Sequence, residues 1–452
     1  MATSGQWTEG VTSRRPLQTV LIVFLLCFTV YNANCRLIAT GDSEPARMIP
    51  FAILDHGTVF LDSYSPFPPD AWWIQRDRLG HWSSVFPIVL PVLLTPVYVP
   101  AAIYVRIAHP PPWRFATLCG VMEKLSAALV TSLSVVVLLL VLRNFATEST
   151  AILLTIAYAF GTETWAISSQ GLWQHGPAEL LLGLALWLLT REPTPRLALL
   201  AGCLCSLMVF NRPPDFFLAL AFAAAYLWRS RTHLSLFVLG ALATGTPFLL
   251  YNMLLFRRPT GGYAILLSRA LQGHPLSERL SSMITGVPAL LVSPGKGLFV
   301  YCPFLLFLIG APLLRFPGTG RLPTRLFWAA FAAQVLVYST WDWRGGWCYG
   351  PRFLTDAIPF LVLALAPAVE RLRPRRGLPV FLVCVVSSIL VQAVGVFCFP
   401  GGGSVFLTQQ ELWKPGGAQF YREARVGFPR AEYFHKVRRW MGVSPEPPPM
   451  VR

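Results

Sequence analysis

The chain has 452 residues, of which 54% are hydrophobic and only 13% are charged, and its mean hydropathy is +0.54. Soluble globular proteins carry about 25% charged residues, so this composition excludes a disordered chain and argues strongly against a soluble enzyme. It predicts an all-α polytopic membrane protein. The net charge of +16 fits basic cytoplasmic loops and lipid headgroups. We expect no nucleic-acid partner, because no stripe of basic and aromatic residues lies outside the apolar segments.

The N-terminus predicts a retained first membrane helix. Arg14 and Arg15 precede an apolar core, and no small-x-small cleavage site stands at its end, which reads Tyr31-Asn-Ala-Asn-Cys35. Because positive residues stay on the cytoplasmic side, we expect residues 1–16 to form a cytoplasmic N-terminus. A long extracytoplasmic loop over 35–117 then follows helix one.

Apolar segments of spanning length recur along the rest of the chain, and we predict about eleven transmembrane helices in a domain over 17–399. The predicted spans are 17–34, 118–142, 150–167, 177–190, 197–211, 215–228, 234–254, 297–315, 324–340, 354–370 and 378–399. The short basic linkers that should face the cytoplasm are 191–196, 228–233, 315–325 and 371–376. This arrangement places the tail 400–452 outside.

The apolar segment 84–106 is the exception among these segments. It contains Pro87, Pro91, Pro96 and Pro100, and each proline removes a helix hydrogen bond that lipid cannot replace. A single crossing here would also put every later basic linker on the wrong side of the membrane. We therefore expect a re-entrant or interfacial pair packed against protein, with a kinked ordinary span as the alternative.

The predicted outer segments collect the polar motifs of the chain. They are 35–117, the loop after 167, 211–215, a long loop over 256–296, 341–356 and the tail 400–452. The first of them carries Asp42, Glu44 and Arg47 just after helix one. A carboxylate at the poorly hydrated headgroup layer suits a general base. The alternative is a helix cap by Asp42 or Ser43, with Glu44 in the first turn.

Two further motifs stand at predicted span ends. His175 follows Trp173-Gln, and it is either a substrate neighbour or an interfacial histidine near an aromatic belt. Arg212 lies in Asn211-Arg-Pro-Pro-Asp215, where headgroup contact or pairing with Asp215 is the favoured interpretation.

The densest polar cluster lies over 341–356. Arg344 and Arg352 offer forked donors that match phosphate oxygens, and Asp342 and Tyr349 accompany them among tryptophans and glycines. Flat aromatic faces beside these cations suit a sugar or a polyprenyl chain. Lys296, in Ser293-Pro-Gly-Lys-Gly297, is a weaker phosphate candidate, and the alternative for this motif is a capped entry to the next helix.

Together these motifs resemble the GT-C superfamily of membrane glycosyltransferases, which includes protein O-mannosyltransferases and lipid A aminoarabinose transferases. The resemblance covers residues 15–400. It depends on Gly41-Asp42-Ser-Glu44-Pro-Ala-Arg47, on Trp173-Gln-His175-Gly-Pro, and on Gly345-Gly-Trp-Cys-Tyr-Gly-Pro-Arg352-Phe. In this chain Ser43 separates two carboxylates that are often adjacent in the family.

The resemblance implies transfer of a sugar from a polyprenyl-phosphate donor to an acceptor hydroxyl on the outer face, with inversion. Asp42 would be the general base, and Glu44 would assist it or bind a divalent cation, Mg or Mn. By electrostatic inference, Arg352 with Arg344 or Lys296 would hold the leaving phosphate.

The acceptor stays open among lipid, polysaccharide and protein, and we expect the enzyme in a bacterial inner membrane. The first alternative is a lipid-sugar transporter or flippase, which places ionisable residues near mid-membrane. Glu123 and Lys124 are the candidates for such residues, but they fall near the predicted start of a span. The other alternative functions are an oligosaccharide ligase or polymerase, and a noncatalytic assembly factor.

Overall fold

The structure is a computed structural model that describes residues 15–271, 275–309, 323–372, 377–400 and 407–428. Helices dominate these ranges, as the composition predicts. The first helices are α1 (Arg15–Asn32), α2 (Glu44–His56), α3 (Val89–Ala108), α4 (Pro112–Leu142), α5 (Glu148–Gly161), α6 (His175–Leu189), α7 (Pro195–Asn211), α8 (Phe216–Arg229) and α9 (Leu234–Phe256). The later ones are α10 (Tyr263–Leu271), α11 (Leu276–Val292), α12 (Leu298–Tyr301), α13 (Thr324–Ser339), α14 (Ile358–Leu372), α15 (Gly377–Cys398), α16 (Gln409–Leu412) and α17 (Gln419–Val426). Strands β1 (Ile74–Arg76) and β2 (Trp82–Ser84) form an antiparallel hairpin.

Parts of several predicted segments lie outside the described residues. They are Arg14 with the rest of 1–14, the end of the predicted span 297–315 from residue 310, the basic linker residues 315–322 and 373–376, and the tail residues 401–406 and 429–452.

Five described helical segments are long and apolar enough to cross a membrane: α3, α4, α9 with the 3-10 turn before it (Arg231–Phe256), α14 with the 3-10 helix before it (Arg352–Leu372), and α15. Four shorter apolar helices, α1, α5, α6 and α7, overlap other predicted spans. A crossing needs about 20 residues, and shorter helices are tolerated where the bilayer thins. The chain is therefore a mostly helical integral membrane protein, and the number eleven stays a prediction.

The segment 84–106 does not form the expected pair of elements packed against protein, because its residues from Val89 onward belong to the single helix α3. Two of its four prolines cost no hydrogen bond. Pro87 precedes the helix, and Pro91 lies in the first turn, where backbone N–H groups have no intrahelical partner anyway. Only Pro96 and Pro100 lie inside. The 20 residues of α3 give a length of ~30 Å, which allows a crossing by length alone, so the side of the membrane on which the later linkers lie stays a prediction.

The predicted membrane helix over 297–315 is also wrong for its described part. The chain forms only the short helix α12, and a 3-10 helix follows over Pro303–Leu308. The break comes at Cys302, because Pro303 has no N–H to donate and its ring clashes with the preceding helical turn.

Two predicted loops contain regular structure. Residues 256–296 carry α10 and α11, and residues 35–117 carry α2, the β-hairpin, α3 and the first turns of α4. These segments form a structured layer rather than an open loop. Gly286 of α11 packs on α13, since a Cβ there would come within 2.5 Å of the Ser339 carbonyl oxygen.

Helix packing inside the bundle depends on small residues and on one central helix. α7 crosses α9 so closely that a Cβ on Gly202 would lie 1.9 Å from the Phe237 carbonyl oxygen, the small-residue contact typical of membrane helices. α14 is buried on all sides from Ile358 through Pro367. A helix that is apolar all round belongs in the interior, so α14 fixes the position of the segment that precedes it.

Candidate active site

The candidate site forms where several helix ends meet at one end of the bundle. Asp42 lies in the turn before α2, His175 is the first residue of α6, Arg212 joins α7 to the next element, and Arg352 begins a 3-10 helix, Arg352–Ala357, that leads into α14. The central helix therefore carries part of the site on its own N-terminal extension.

Asp42 and Arg352 meet as the sequence predicts, although 310 positions separate them. Arg352 Nη1 donates to Asp42 Oδ2 at 2.7 Å. Among the described residues, the other carboxylate oxygen accepts only from Thr40, whose Oγ1 lies 3.3 Å away. Asp42 is thus held by one strong contact and one weak contact, on a turn that is partly exposed.

The Arg352 guanidinium is fixed by aromatic rings and still has a free donor. It lies 4.9 Å from the centre of the Trp173 ring and 5.6 Å from that of Phe353, distances at which a cation is attracted to a ring face. Its Nε is buried and has no partner among the described residues. Since buried donors are almost always paired, this atom marks a position where a ligand acceptor fits.

His175, Asp356 and Arg212 form a buried row beside this pair. His175 Nδ1 lies 2.6 Å from Asp356 Oδ1, and Arg212 Nε donates to Asp356 Oδ2 at 2.5 Å. Burial acts to lower the pKa of Arg212, but the Asp356 carboxylate outweighs it and raises that pKa above its ordinary value. With Nδ1 turned to Asp356, the ring nitrogen left for a ligand is Nε2 of His175.

A cavity of about 180 Å³ lies between these groups. Its polar lining includes Asp42, Gln174, His175, Arg212 and Arg352. The aromatic part of its wall consists of Trp72, Phe86, Trp173, Tyr263, Trp341 and Phe353. Gln174 Nε2 is buried without a partner among the described residues, so the cavity has a second unpaired donor.

Five predicted phosphate-binding or substrate-binding residues do not line this cavity: Arg47, Lys296, Asp342, Arg344 and Tyr349. Lys296 is buried, and its Nζ donates to the Cys348 carbonyl at 2.6 Å; burial lowers the pKa of this amine below its usual range. Tyr349 donates its hydroxyl to the Val391 carbonyl at 2.6 Å. Both side chains use their polar atoms to hold the fold.

Arg344 and Asp342 are likewise paired with each other. Arg344 Nε and Nη2 bind the two carboxylate oxygens at 2.7 and 2.6 Å, in an exposed position. The described tail braces the same loop, since Gln419 Nε2 donates to the Cys348 carbonyl at 3.0 Å and its Oε1 accepts from Gly350 N at 2.9 Å. No residue of the described tail lines the cavity.

Glu44 and Arg47 form a separate ion pair. Arg47 lies 2.6 Å from Glu44 and 3.4 Å from the buried Glu123. The described residues contain no group of three or more His, Cys, Asp or Glu side chains that could hold a metal ion. Asp42 and Glu44 each face a guanidinium, so the donor set here does not fit Mg or Mn, and we derive no step through a cation.

Sequence reasoning missed the roles of Arg212, Glu123 and Lys124. Arg212 pairs with Asp356, 144 positions away, and not with Asp215, which accepts from Gln334 at 3.0 Å. Glu123 and Lys124 lie well inside α4 and are buried, rather than near its start. The presence of Asp356 in the cluster 341–356 was the only sequence signal for the first pairing, and no local pattern identified its partner.

The fold defined by these elements is ArnT-like, which confirms the resemblance at the level of fold alone. The chain is similar to the crystal structure of ArnT from Cupriavidus metallidurans bound to undecaprenyl phosphate, with a TM-score of 0.53 and 14% sequence identity. The match covers 89% of this chain and 67% of that one. No family model and no curated protein matches the sequence.

Proposed function

We propose that this protein is an integral-membrane glycosyltransferase that moves a sugar from a polyprenyl-phosphate donor to an acceptor hydroxyl, with inversion, on the extracytoplasmic face of a bacterial cell membrane. The observation that carries the proposal is the contact between Asp42 and Arg352 in a shared cavity. The similarity to a protein that binds undecaprenyl phosphate supports the donor class.

The cavity offers a phosphate group both charge and unpaired donors. Arg352 Nε has no partner in the part of the chain that the structure describes, and Arg212 lines the same space. Fixed cations in a cleft that excludes water stabilise developing negative charge far better than they do in bulk solvent. The donor phosphate therefore binds Arg352 in competition with Asp42.

This competition explains how Asp42 acts as a base although it is ion-paired in the free protein. Trp173 and Phe353 hold the Arg352 guanidinium in place, whereas Asp42 lies on a turn with only one other weak contact. When the phosphate takes over the guanidinium, Asp42 is released toward the acceptor.

The reaction then needs one proton transfer and one substitution. Asp42 takes the proton of the acceptor hydroxyl while that oxygen forms a bond to the anomeric carbon. The bond from this carbon to the phosphate oxygen breaks, and its electron pair leaves with the polyprenyl phosphate beside Arg352. Attack from the face opposite the leaving phosphate inverts the configuration.

The remaining groups of the cavity orient the sugar. Asp356 fixes the ring of His175 through Nδ1, so that Nε2 is available to a sugar hydroxyl. The unpaired amide nitrogen of Gln174 is a second donor. Trp341 offers a flat surface for the sugar ring, with an apolar body of the kind that small-molecule sites use.

Movement of a lipid-linked sugar across the bilayer is the second candidate function, and buried ionisable residues favour it. Glu163 and Glu179 are fully buried among the helices, and intramembrane ionisable groups are typical of transport pathways. A ligase or polymerase would share the donor chemistry of the transferase and differ in its acceptor.

The test is an assay of purified protein in nanodiscs with a panel of undecaprenyl-phosphate sugars and an extracted cell-envelope fraction as the source of acceptor. We expect release of undecaprenyl phosphate from at least one donor, and a product whose anomeric configuration, read by NMR, is opposite to that of the donor. Absence of release from every donor, or transbilayer movement of intact donor in liposomes without cleavage, would contradict the proposal.

A further inference from the structure

A second cavity, of about 470 Å³, lies beside the candidate active site and shares Trp72 with it. We propose that this cavity binds the acceptor, and that the acceptor is a saccharide carrying phosphate or carboxylate groups. The inference depends on the proposed function, because it names the substrate class that the transferase would glycosylate.

The cavity is built on a rigid support, the β1–β2 hairpin. Asp77 closes the hairpin turn by accepting from Leu79 N at 2.8 Å, His81 N at 3.1 Å and Ser83 Oγ at 2.7 Å. Ile74 and Trp82 of the two strands line the cavity. A wall on regular structure holds its groups more precisely than a loop.

The lining of the cavity combines aromatic and polar groups, as a sugar site requires. Phe67, Trp72 and Trp82 supply flat apolar surfaces, and Asp70 and Gln75 supply hydrogen-bonding groups at the rim. Aromatic faces pack against the C–H surface of a sugar ring, while amide and carboxylate groups bind its hydroxyls.

The charge of the lining favours an anionic saccharide. Arg76 and Arg269 both line the cavity, against the single carboxylate of Asp70. Arg76 is positioned by Trp82, with its guanidinium carbon 4.6 Å from the ring centre, but it already pairs with Asp62 at 3.6 Å, so the cation of the lining that is left for an anion is Arg269. Arg269, at the end of α10, is exposed. Guanidinium groups match phosphate and carboxylate oxygens in geometry and charge.

The position of Trp72 connects this cavity to the proposed base. A Cβ on Gly41 would lie 3.1 Å from the Trp72 ring and 2.6 Å from that of Trp73. The backbone next to Asp42 therefore packs directly on these two indoles, which only glycine permits. A sugar stacked on Trp72 has its neighbouring hydroxyls next to the carboxylate that would deprotonate them.

The test is saturation-transfer NMR on the full-length protein in nanodiscs, with maltotriose, trigalacturonate and glucose 1-phosphate as probes. We expect transfer to trigalacturonate and glucose 1-phosphate to exceed transfer to maltotriose. Trp72→Ala should reduce the signal of every probe at least about fivefold, since aromatic contacts are worth ~1 kcal/mol or more. Trp113→Ala is the matched control, because Trp113 is 41% exposed and Trp72 is 43% exposed, and it should leave the signals unchanged.

Arg269→Gln separates the contribution of charge to saccharide binding from the contribution of aromatic stacking. Because Arg269 is exposed, the variant is expected to fold. We expect it to remove the preference for the anionic probes and to leave the maltotriose signal intact. Equal signals from Trp72→Ala and Trp113→Ala, or no saturable signal from any probe, would overturn the proposal. Binding of undecaprenyl phosphate is measured in parallel: if it persists while saccharides do not bind, the acceptor cavity is wrong and the donor site stands, whereas its loss contradicts the proposed function itself.

Discussion

Two groups of polar residues lie near the segment that leads into α14, and they differ in what their polar atoms contact. In the site group, which we define as Asp42, His175, Arg212 and Arg352, the buried Arg352 Nε has no partner among the described residues. In the brace group, Lys296, Arg344 and Tyr349, the named contacts all go to protein groups.

Arg344 of the brace group and Arg352 of the site group look alike in sequence, because both lie among the tryptophans and glycines of the cluster 341–356. The difference shows that the residue types of a segment can predict a polar cluster. A ligand site is indicated only by a buried hydrogen-bond donor that has no partner and lies beside a cavity. The following predictions test whether the two groups are as different in function as they are in hydrogen bonding.

The largest effect is expected from Asp42→Asn, which removes the proposed base and keeps the shape of the side chain. We expect the rate constant kcat of sugar transfer to fall about 10²–10⁴-fold, the usual contribution of a general base. Glu44→Gln is the matched control, since Glu44 belongs to a partly exposed ion pair with Arg47, and exposed pairs contribute little. Equal losses in the two variants would show that the base is not Asp42.

The second prediction concerns the free energy of unfolding. Asp356→Asn breaks a fully buried arrangement with Arg212 and His175, and we expect it to cost about 3–5 kcal/mol, as for other buried ion pairs that lose one partner. Asp342→Asn makes the same chemical change in the exposed pair with Arg344 and should cost less than about 1 kcal/mol. Chemical unfolding in detergent measures both, and similar costs would remove the distinction between the two groups.

The third prediction uses the packing around Tyr349 in the brace group. In Gly395→Ala the new Cβ would lie 2.5 Å from the Tyr349 ring. We expect this substitution to lower the free energy of unfolding, as measured by chemical unfolding in detergent. Overpacking costs up to about 3 kcal/mol, which exceeds the ~1 kcal/mol that alanine gains over glycine in a helix. Gly416→Ala, where a Cβ meets nothing within 4 Å, should be neutral. We expect unchanged transfer per folded molecule in both; a selective loss of kcat in Gly395→Ala would place Tyr349 in the site group.

The smallest effect is a pH dependence at Lys296. Burial lowers the pKa of its amine in the folded protein below the ordinary 10.5. Between the two values the unfolded chain binds a proton that the folded chain has released, so this residue makes stability rise with pH in that window. The difference in unfolding free energy between wild type and Lys296→Met should therefore grow in favour of wild type as pH rises toward 10.5. Parallel pH profiles would contradict the burial of this amine.

The sequence predicts part of this picture for physical reasons. Long apolar segments and few charges determine a helical membrane protein, and the turn at Gly41-Asp42 together with Arg352-Phe353 marks two groups that do meet. The positions of glycines and prolines predicted the helix boundaries less well. The prolines of α3 looked disruptive, because the sequence does not reveal which of them fall in a first turn, where they break nothing.

Long-range pairings could not be predicted at all. Arg212 has a nearby acidic neighbour, Asp215, yet its partner is Asp356. That choice depends on how the end of α7 packs against the extension of α14, which no local pattern encodes. The same holds for Lys296 and Tyr349, whose residue types suit a phosphate site but whose partners are backbone carbonyls.

The central claim is that Asp42 and the donor phosphate compete for Arg352, and binding of undecaprenyl phosphate to purified variants tests it most directly. We predict opposite changes in Kd: Asp42→Asn removes the competing carboxylate and tightens binding about tenfold, which corresponds to ~1.4 kcal/mol, while Arg352→Ala weakens it by at least as much. Weaker binding in both variants, or an unchanged Kd in either, would contradict the claim.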